Sequence, residues 1–307
     1  MSRTLSIPAA STTLLLLLLL HLNGGSSESQ DLPKSDINLL EFPLNLEYME
    51  AEFFAWGAFG HGLDVLEPNL TSGGPPPLGA QIAKLSPLIR DIIGQFAYQE
   101  FGHVRVIKRT VPGFPRPQLD LSVKSFATVI NDAFGKELDP PFDPYENDLN
   151  YLIACYVIPY VGLTGYVGAN PKLQSPTAKK LLAGLLGVEA GQDAVIRALL
   201  YERASVPVAP YGYTVAEFTD KISNLRNKLG NQGLKDEGLI VHPSQGPEGK
   251  SSGNVLAGDQ DSLAFDRTPE EILRIVYGSG KETEPGGFYP NGADGEVAKS
   301  YLKLSCI

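Results

Sequence analysis

The chain has 307 residues, 43% hydrophobic, 20% charged and 9% aromatic, which excludes a disordered tail, a collagen-like repeat and a polytopic membrane protein. Asp and Glu number 35 against 25 Lys and Arg, and the resulting charge of −10 argues against nucleic-acid or anionic-membrane partners. Two cysteines are too few for a disulfide scaffold, and the length suffices for one large core or a core with an appendage.

Residues 1–27 read as a secretory signal. Arg3 supplies positive charge, Leu14 to Leu20 form an unbroken apolar run, and Gly24-Gly25-Ser26-Ser27 offers small residues for cleavage. The run is shorter than the roughly 20 residues that span a bilayer, and no second such stretch, retention tail or lipid box follows. The expected protein is therefore exported and soluble, without a transmembrane segment. Asn69-Leu70-Thr71 is a glycosylation sequon in a Gly/Pro-rich stretch, in keeping with that route.

Periodicity then predicts four long helices. From Asp36 to Phe59 the stripe Leu40, Leu44, Glu47, Ala51, Phe54, Ala58 advances by alternating fours and threes, apolar apart from one carboxylate. From Leu78 to Lys108 the stripe Ile82, Leu85, Ile89, Ile93, Phe96, Glu100, His103, Ile107 has two polar members. Glu146 to Ala169 is apolar nearly all round, as a buried helix is. Pro159 should kink it, and Gly162 with Gly165 should let a neighbour approach closely. From Pro176 to Glu202 the stripe Leu182, Leu185, Glu189, Gln192, Ile196, Leu199 again carries two polar residues.

The breaks between helices define the connectivity. Residues 67–79 and 170–175 are short links, whereas residues 110–145 form a long Pro-rich connection holding one helical piece, Ser125 to Phe134. Two short links and one long crossover predict an all-α, ferritin-like four-helix bundle over residues 36–204. Residues 205–307 form a Gly-rich C-terminal extension with short helices, Val215 to Leu229 and Pro269 to Tyr277, the second capped by Thr268.

A carboxylate inside a buried stripe is costly unless it is neutralised, paired or metal-bound. Three helices each place a glutamate there. Glu100-x-x-His103 projects a carboxylate and an imidazole from adjacent points on one face, the spacing by which bundles hold iron or manganese. Glu189-x-x-Gln192 repeats it with an amide in place of the imidazole. Glu47 supplies a third acid, with Glu50 one turn on as a helper.

The segments Leu39 to Phe54, Gln99 to His103, Tyr160 to Gly168 and Gly187 to Asp193 resemble the plant desiccation-related proteins of the PCC13-62 type, which carry a ferritin-like domain. The resemblance spans nearly the whole mature chain. It implies a plant protein with a secretory signal, placed in the apoplast, the cell wall or the secretory lumen, and a role in water-deficit stress. It implies no particular reaction.

A carboxylate-bridged di-iron site draws on two Glu-x-x-His motifs and one Glu from each remaining helix. Here Gln192 replaces the second histidine, and the third helix offers Cys155, Pro159 and Tyr166 where a glutamate would stand, Asp148 lying too near its start. Two readings stand side by side. One metal, iron or manganese, is held by Glu47, Glu100, His103 and Glu189, with Gln192, Glu50 and Tyr166 around them; or no metal binds, and the acids share protons or bond to Gln192, Tyr48 or Tyr98. The first gives a metal-dependent oxidase or metal scavenger. The second gives a structural or protective stress protein with a degenerate site and no catalytic residue. Cys155 is either paired with Cys306 or a buried free thiol. Self-association is the one partnership the reading leaves in view.

Overall fold

The computed structural model describes residues 32–304; the signal reading of residues 1–27 and one partner of the Cys155–Cys306 pair lie outside them. Cys155 itself is fully buried.

The first predicted helix is two helices. α1 (Lys34–Glu41) and α2 (Leu44–Phe59) are separated at Pro43, which has no N–H with which to continue the ladder. Gly60 ends α2 with φ of 74°, the left-handed cap that glycine adopts most readily. The second predicted helix starts nine residues later than its stripe suggests: α3 runs Pro87–Thr110, with Ser86 before it and Pro87 in its first position. Residues 78–86 run irregularly instead. Their backbone pairs with other segments (Leu78 N–H to Leu119 O, Lys84 N–H to Tyr145 O, each near 2.9 Å), and Ile82 is exposed.

The long connection holds α4 (Val123–Phe134), capped by the Ser122 hydroxyl. The third predicted helix is broken at Pro159, as its sequence suggests, into α5 (Asp148–Val157) and α6 (Pro159–Ala169). Asp148 is occupied far from the bundle centre, where its Oδ1 accepts the Ser86 N–H at 2.7 Å. Residues 148–172 are long and apolar enough to cross a membrane by length and composition, but 83% of that apolar window is buried inside the fold, as in a core helix. α7 (Pro176–Tyr201) begins at a Ser175 cap.

After a two-residue antiparallel hairpin, β1 (Pro207–Val208) with β2 (Tyr213–Thr214), the chain forms α8 (Val215–Gly230), α9 (Pro269–Val276) and α10 (Gly295–Leu304). Both α8 and α9 open on reciprocal capping boxes, Thr214 with Glu217 and Thr268 with Glu271.

Residues 205–304 pack onto the helices before them. Tyr289 O–H donates to the Asn45 carbonyl at 2.8 Å. Arg197, buried on α7, donates Nε–H to Val255 O and Nη2–H to Asn254 O, both at 2.7 Å, and Nη1–H to the Tyr156 hydroxyl. Arg226 on α8 reaches Tyr156 O at 2.6 Å and Asp236 on the other side. On the opposite flank Arg116, also buried, holds Glu52, Asp64, Gly74 O and Pro75 O together. Phe53 stacks on Tyr151 at 4.7 Å between ring centres, and the Tyr151 hydroxyl donates to Phe53 O over Gly57, where any Cβ would collide with it.

Candidate metal centre

Glu47 on α2 and Glu189 on α7 face the Glu100–His103 pair of α3, and all four are buried. One ligand atom from each lies within 4.8 Å of the other three. His103 Nδ1 is at the middle of the set, 3.1 Å from Glu47 Oε2, 3.1 Å from Glu100 Oε2 and 3.3 Å from Glu189 Oε1. The helical spacing produces this directly. An i, i+3 pair on α3 aims both side chains at one point, and the stripes of α2 and α7 each deliver one acid at the same depth.

The outer oxygens of two acids are held by donors. Tyr166 O–H of α6 donates to Glu47 Oε1, and Gln192 Nε2–H donates to Glu100 Oε1 at 2.6 Å. Thus Tyr166 and Gln192, at positions where a di-metal bundle would carry ligands, act here by fixing the carboxylates that remain. Each of those carboxylates keeps one oxygen turned toward His103. Gln192 also donates to Gln99 Oε1 at 3.0 Å. Gln99 lies off the apolar stripe, and nothing in its spacing would single it out.

Glu50, one turn along α2, faces Glu189. The Oε2 atoms of Glu50 and Glu189 and the Oε1 of Gln192 are buried and meet no other donor among the described residues. Tyr48 and Tyr98, named as alternative partners for the acids, are elsewhere. Tyr48 O–H bonds to Leu70 O at 2.8 Å, and Tyr98 is exposed.

The electrostatics follow from this crowding. Burial, then the neighbouring Glu189, push the Glu100 carboxyl well above the usual range; burial and Glu189 do the same to Glu50. Burial pushes Glu189 up to about 7. Burial also acts to raise Glu47, but the His103 imidazole overrules it and the net direction is down. For His103 burial works against the charged form, and the carboxylates of Glu47 and Glu100 overrule it upward. Four acids around one imidazole crowd the site with acceptors, and three buried oxygens meet no other donor among the described residues. A cation fits this set: three hard carboxylate oxygens and one imidazole nitrogen suit iron, manganese or zinc.

A helical fold in which several helices converge on such a carboxylate–histidine cluster defines a ferritin-like protein. Residues 35–202 match the ferritin-like domain family, and the chain belongs to it. The chain is 69% identical over 269 residues to the desiccation-related protein PCC13-62 of Craterostigma plantagineum, covering 88% of this chain and 86% of that one. It is 57% identical over 275 residues to the ferritin-like catalase Nec2 of Nesocodon mauritianus, covering 90% and 88%. No solved structure matches.

Proposed function

We propose that the chain is an exported ferritin-like stress protein that holds one iron or manganese ion at Glu47, Glu100, His103 and Glu189 and disproportionates hydrogen peroxide there. The observation that carries this reading is the convergence of three carboxylate oxygens on His103 Nδ1, two of them from acids whose second oxygen is already tied. The name of the Nesocodon relative, a ferritin-like catalase, supports the choice of peroxide. In the reaction two peroxide molecules give two waters and one dioxygen, one molecule being reduced and the other oxidised, so no further reductant is required. The bound ion supplies the two-electron redox chemistry. Tyr166 and Gln192 keep Glu47 and Glu100 in fixed rotamers, and Glu50, at Oε2, can hold a proton beside Glu189. The surrounding apolar side chains exclude bulk water.

The four helical segments that meet at the cluster we read as the ferritin-like bundle, with residues 110–145 as its crossover. A metal-free, protective role is the second reading, favoured by the two ligand positions that carry Tyr166 and Gln192 instead.

Elemental analysis of protein purified without chelators, together with oxygen release from peroxide, separates the two. The expected result is about one metal per chain and dioxygen evolution, both lost in Glu100→Ala and His103→Ala. Absence of metal after anaerobic reconstitution with Fe²⁺ and with Mn²⁺ would overturn the catalytic reading. Gln192→His, which restores a nitrogen ligand at the second motif, should raise occupancy above one equivalent.

Export is part of the proposal. Asn69 is exposed in the turn Pro68–Thr71. Protein secreted from plant cells should therefore lose mass on N-glycosidase treatment, and Asn69→Gln should abolish that loss.

A further inference from the structure

A narrow pocket lies between the α1–α2 junction, α6 and the start of α9. It leaves about 20 Å³ to a water-sized sphere, room for one very small molecule. Its walls are mainly apolar, with buried Arg267 and exposed Lys172 the charged residues among them. The outer rim is formed by exposed Lys172 and half-buried Leu39, and the inner end by buried Leu46, Gly162 and Tyr166. Ile272 of α9 closes the side.

The inner end abuts the metal cluster. Tyr166 is the residue whose hydroxyl touches Glu47. Gly162 is the point of nearest approach to Glu50: a Cβ added there would lie 3.3 Å from Glu50 Oε1 and 3.6 Å from Leu46 Cδ2. Glycine in a helix interior costs about 1 kcal/mol relative to alanine. At Gly162 nothing in the backbone demands it, because the residue is in the middle of α6. The missing methyl group instead keeps open the space between the pocket and the carboxyl of Glu50, whose Oε2 is buried and meets no other donor among the described residues.

We infer that this pocket is the access route by which a small uncharged molecule, of the size of hydrogen peroxide or dioxygen, reaches the metal centre, and that Gly162 sets its inner width. The inference rests on the proposed metal centre and names what it admits. A pocket this narrow rejects alkyl hydroperoxides by size, so the centre reacts with peroxide and not with bulky substrates.

Two measurements test it. In the first, crystals of the metal-free protein are pressurised with xenon, which seats in dry apolar cavities. Xenon is expected in this pocket of the wild type and absent from Gly162→Ala. In the second, Fe²⁺-loaded protein is mixed with nitric oxide, a small uncharged probe, and the rise of its absorbance is followed. Gly162→Ala, which narrows the inner end, and Leu39→Trp, which covers the rim, should each slow that rise about tenfold, with iron content unchanged. Ile272→Ala should speed it.

Xenon missing from the wild-type pocket would overturn the inference whether or not metal binds. Xenon present but nitric oxide rates equal in all variants would also overturn it, and would place access at the slightly exposed edge of His103 instead. Failure to load iron at all would defeat the metal centre, and the inference with it, while leaving the xenon result as an independent statement about the cavity.

Discussion

Glu100→Gln is expected to raise the melting temperature of the metal-free protein and lower that of the metal-loaded protein. Glutamine keeps the shape of the side chain and cannot ionise. Without metal, Glu100 is a fully buried acid among Glu47, Glu50 and Glu189, with one imidazole for company. Its ionisation is opposed by burial and by those neighbours, so folding near neutral pH has to protonate it, a cost that glutamine is spared. With metal the sign reverses, because the substitution removes a ligand. A ligand that binds only the folded form stabilises it by about 2.7 kcal/mol at a hundredfold excess over its dissociation constant, and the variant forfeits most of that. Calorimetry of both proteins, with and without Mn²⁺, reads the two shifts directly. Equal shifts in the same direction would mean that Glu100 is an ordinary structural residue.

The same crowding sets a pH dependence for the metal-free chain. A carboxyl whose folded pKa is raised contributes stability that is complete below its unfolded value and is lost as pH rises through the folded one. Burial places Glu189 at about 7 and Asp193 at about 6, against ordinary values of 4.5 and 3.8. His103, raised in the fold, acts in the same direction. Metal-free protein should therefore gain stability when acidified from pH 7 toward pH 4.5, unlike a protein held by ordinary salt bridges. Glu47, shifted down, opposes this only below that window. A thermal melt series across those pH values is the check.

Arg226→Ala is the second large effect expected. Arg226 is 2% exposed; its Nη1–H donates to Tyr156 O at 2.6 Å, and its Nε lies 2.6 Å from Asp236 Oδ2. Through these contacts it joins α8 to the end of α5 and to the segment around Asp236. Truncation leaves Asp236, itself 1% exposed, with only Arg267 at 3.8 Å among the described residues. Removing one partner of a buried ion pair costs about 3–5 kcal/mol, a fall in melting temperature of roughly 10 °C for a chain of this size. The double change Arg226→Met with Asp236→Leu should recover much of it, since the stranded charge goes as well. If the double variant melts lower than Arg226→Ala, the contribution of Arg226 lies in its carbonyl contacts and not in the pair.

The buried carboxylate–histidine cluster is legible in the chain because helix periodicity and chemistry agree there. Glu47, Glu100, His103 and Glu189 stood out as polar residues on apolar stripes, and only the interior explains such residues. Thr268 as a helix cap and the break at Pro159 were legible for local reasons of the same kind. Where local pattern misleads, long-range pairing overrides it. Residues 78–86 continue the stripe of α3 but find backbone partners at Gly57, Leu119 and Tyr145, and the helix waits for Pro87. Pro43 sits inside an unbroken apolar rhythm that gives no hint of the interruption. Gln99, Arg226 and α10 could not have been singled out, because their roles depend on groups distant in sequence that no spacing reveals.

The buried arginines have a consequence for the chain when water is withdrawn. Arg197 spends its N–H groups on the carbonyls of Glu237, Asn254 and Val255 and on the Tyr156 hydroxyl, and Arg116 spends its own on two carbonyls and two acids. The guanidinium groups of these clasps are buried from the start. Surface ion pairs and hydrated loops change partners when solvent is withdrawn, but a guanidinium already clasped by the chain has nothing to exchange. The seam between the helices and the C-terminal segments would thus pass through dehydration and rehydration with its polar contacts unaltered.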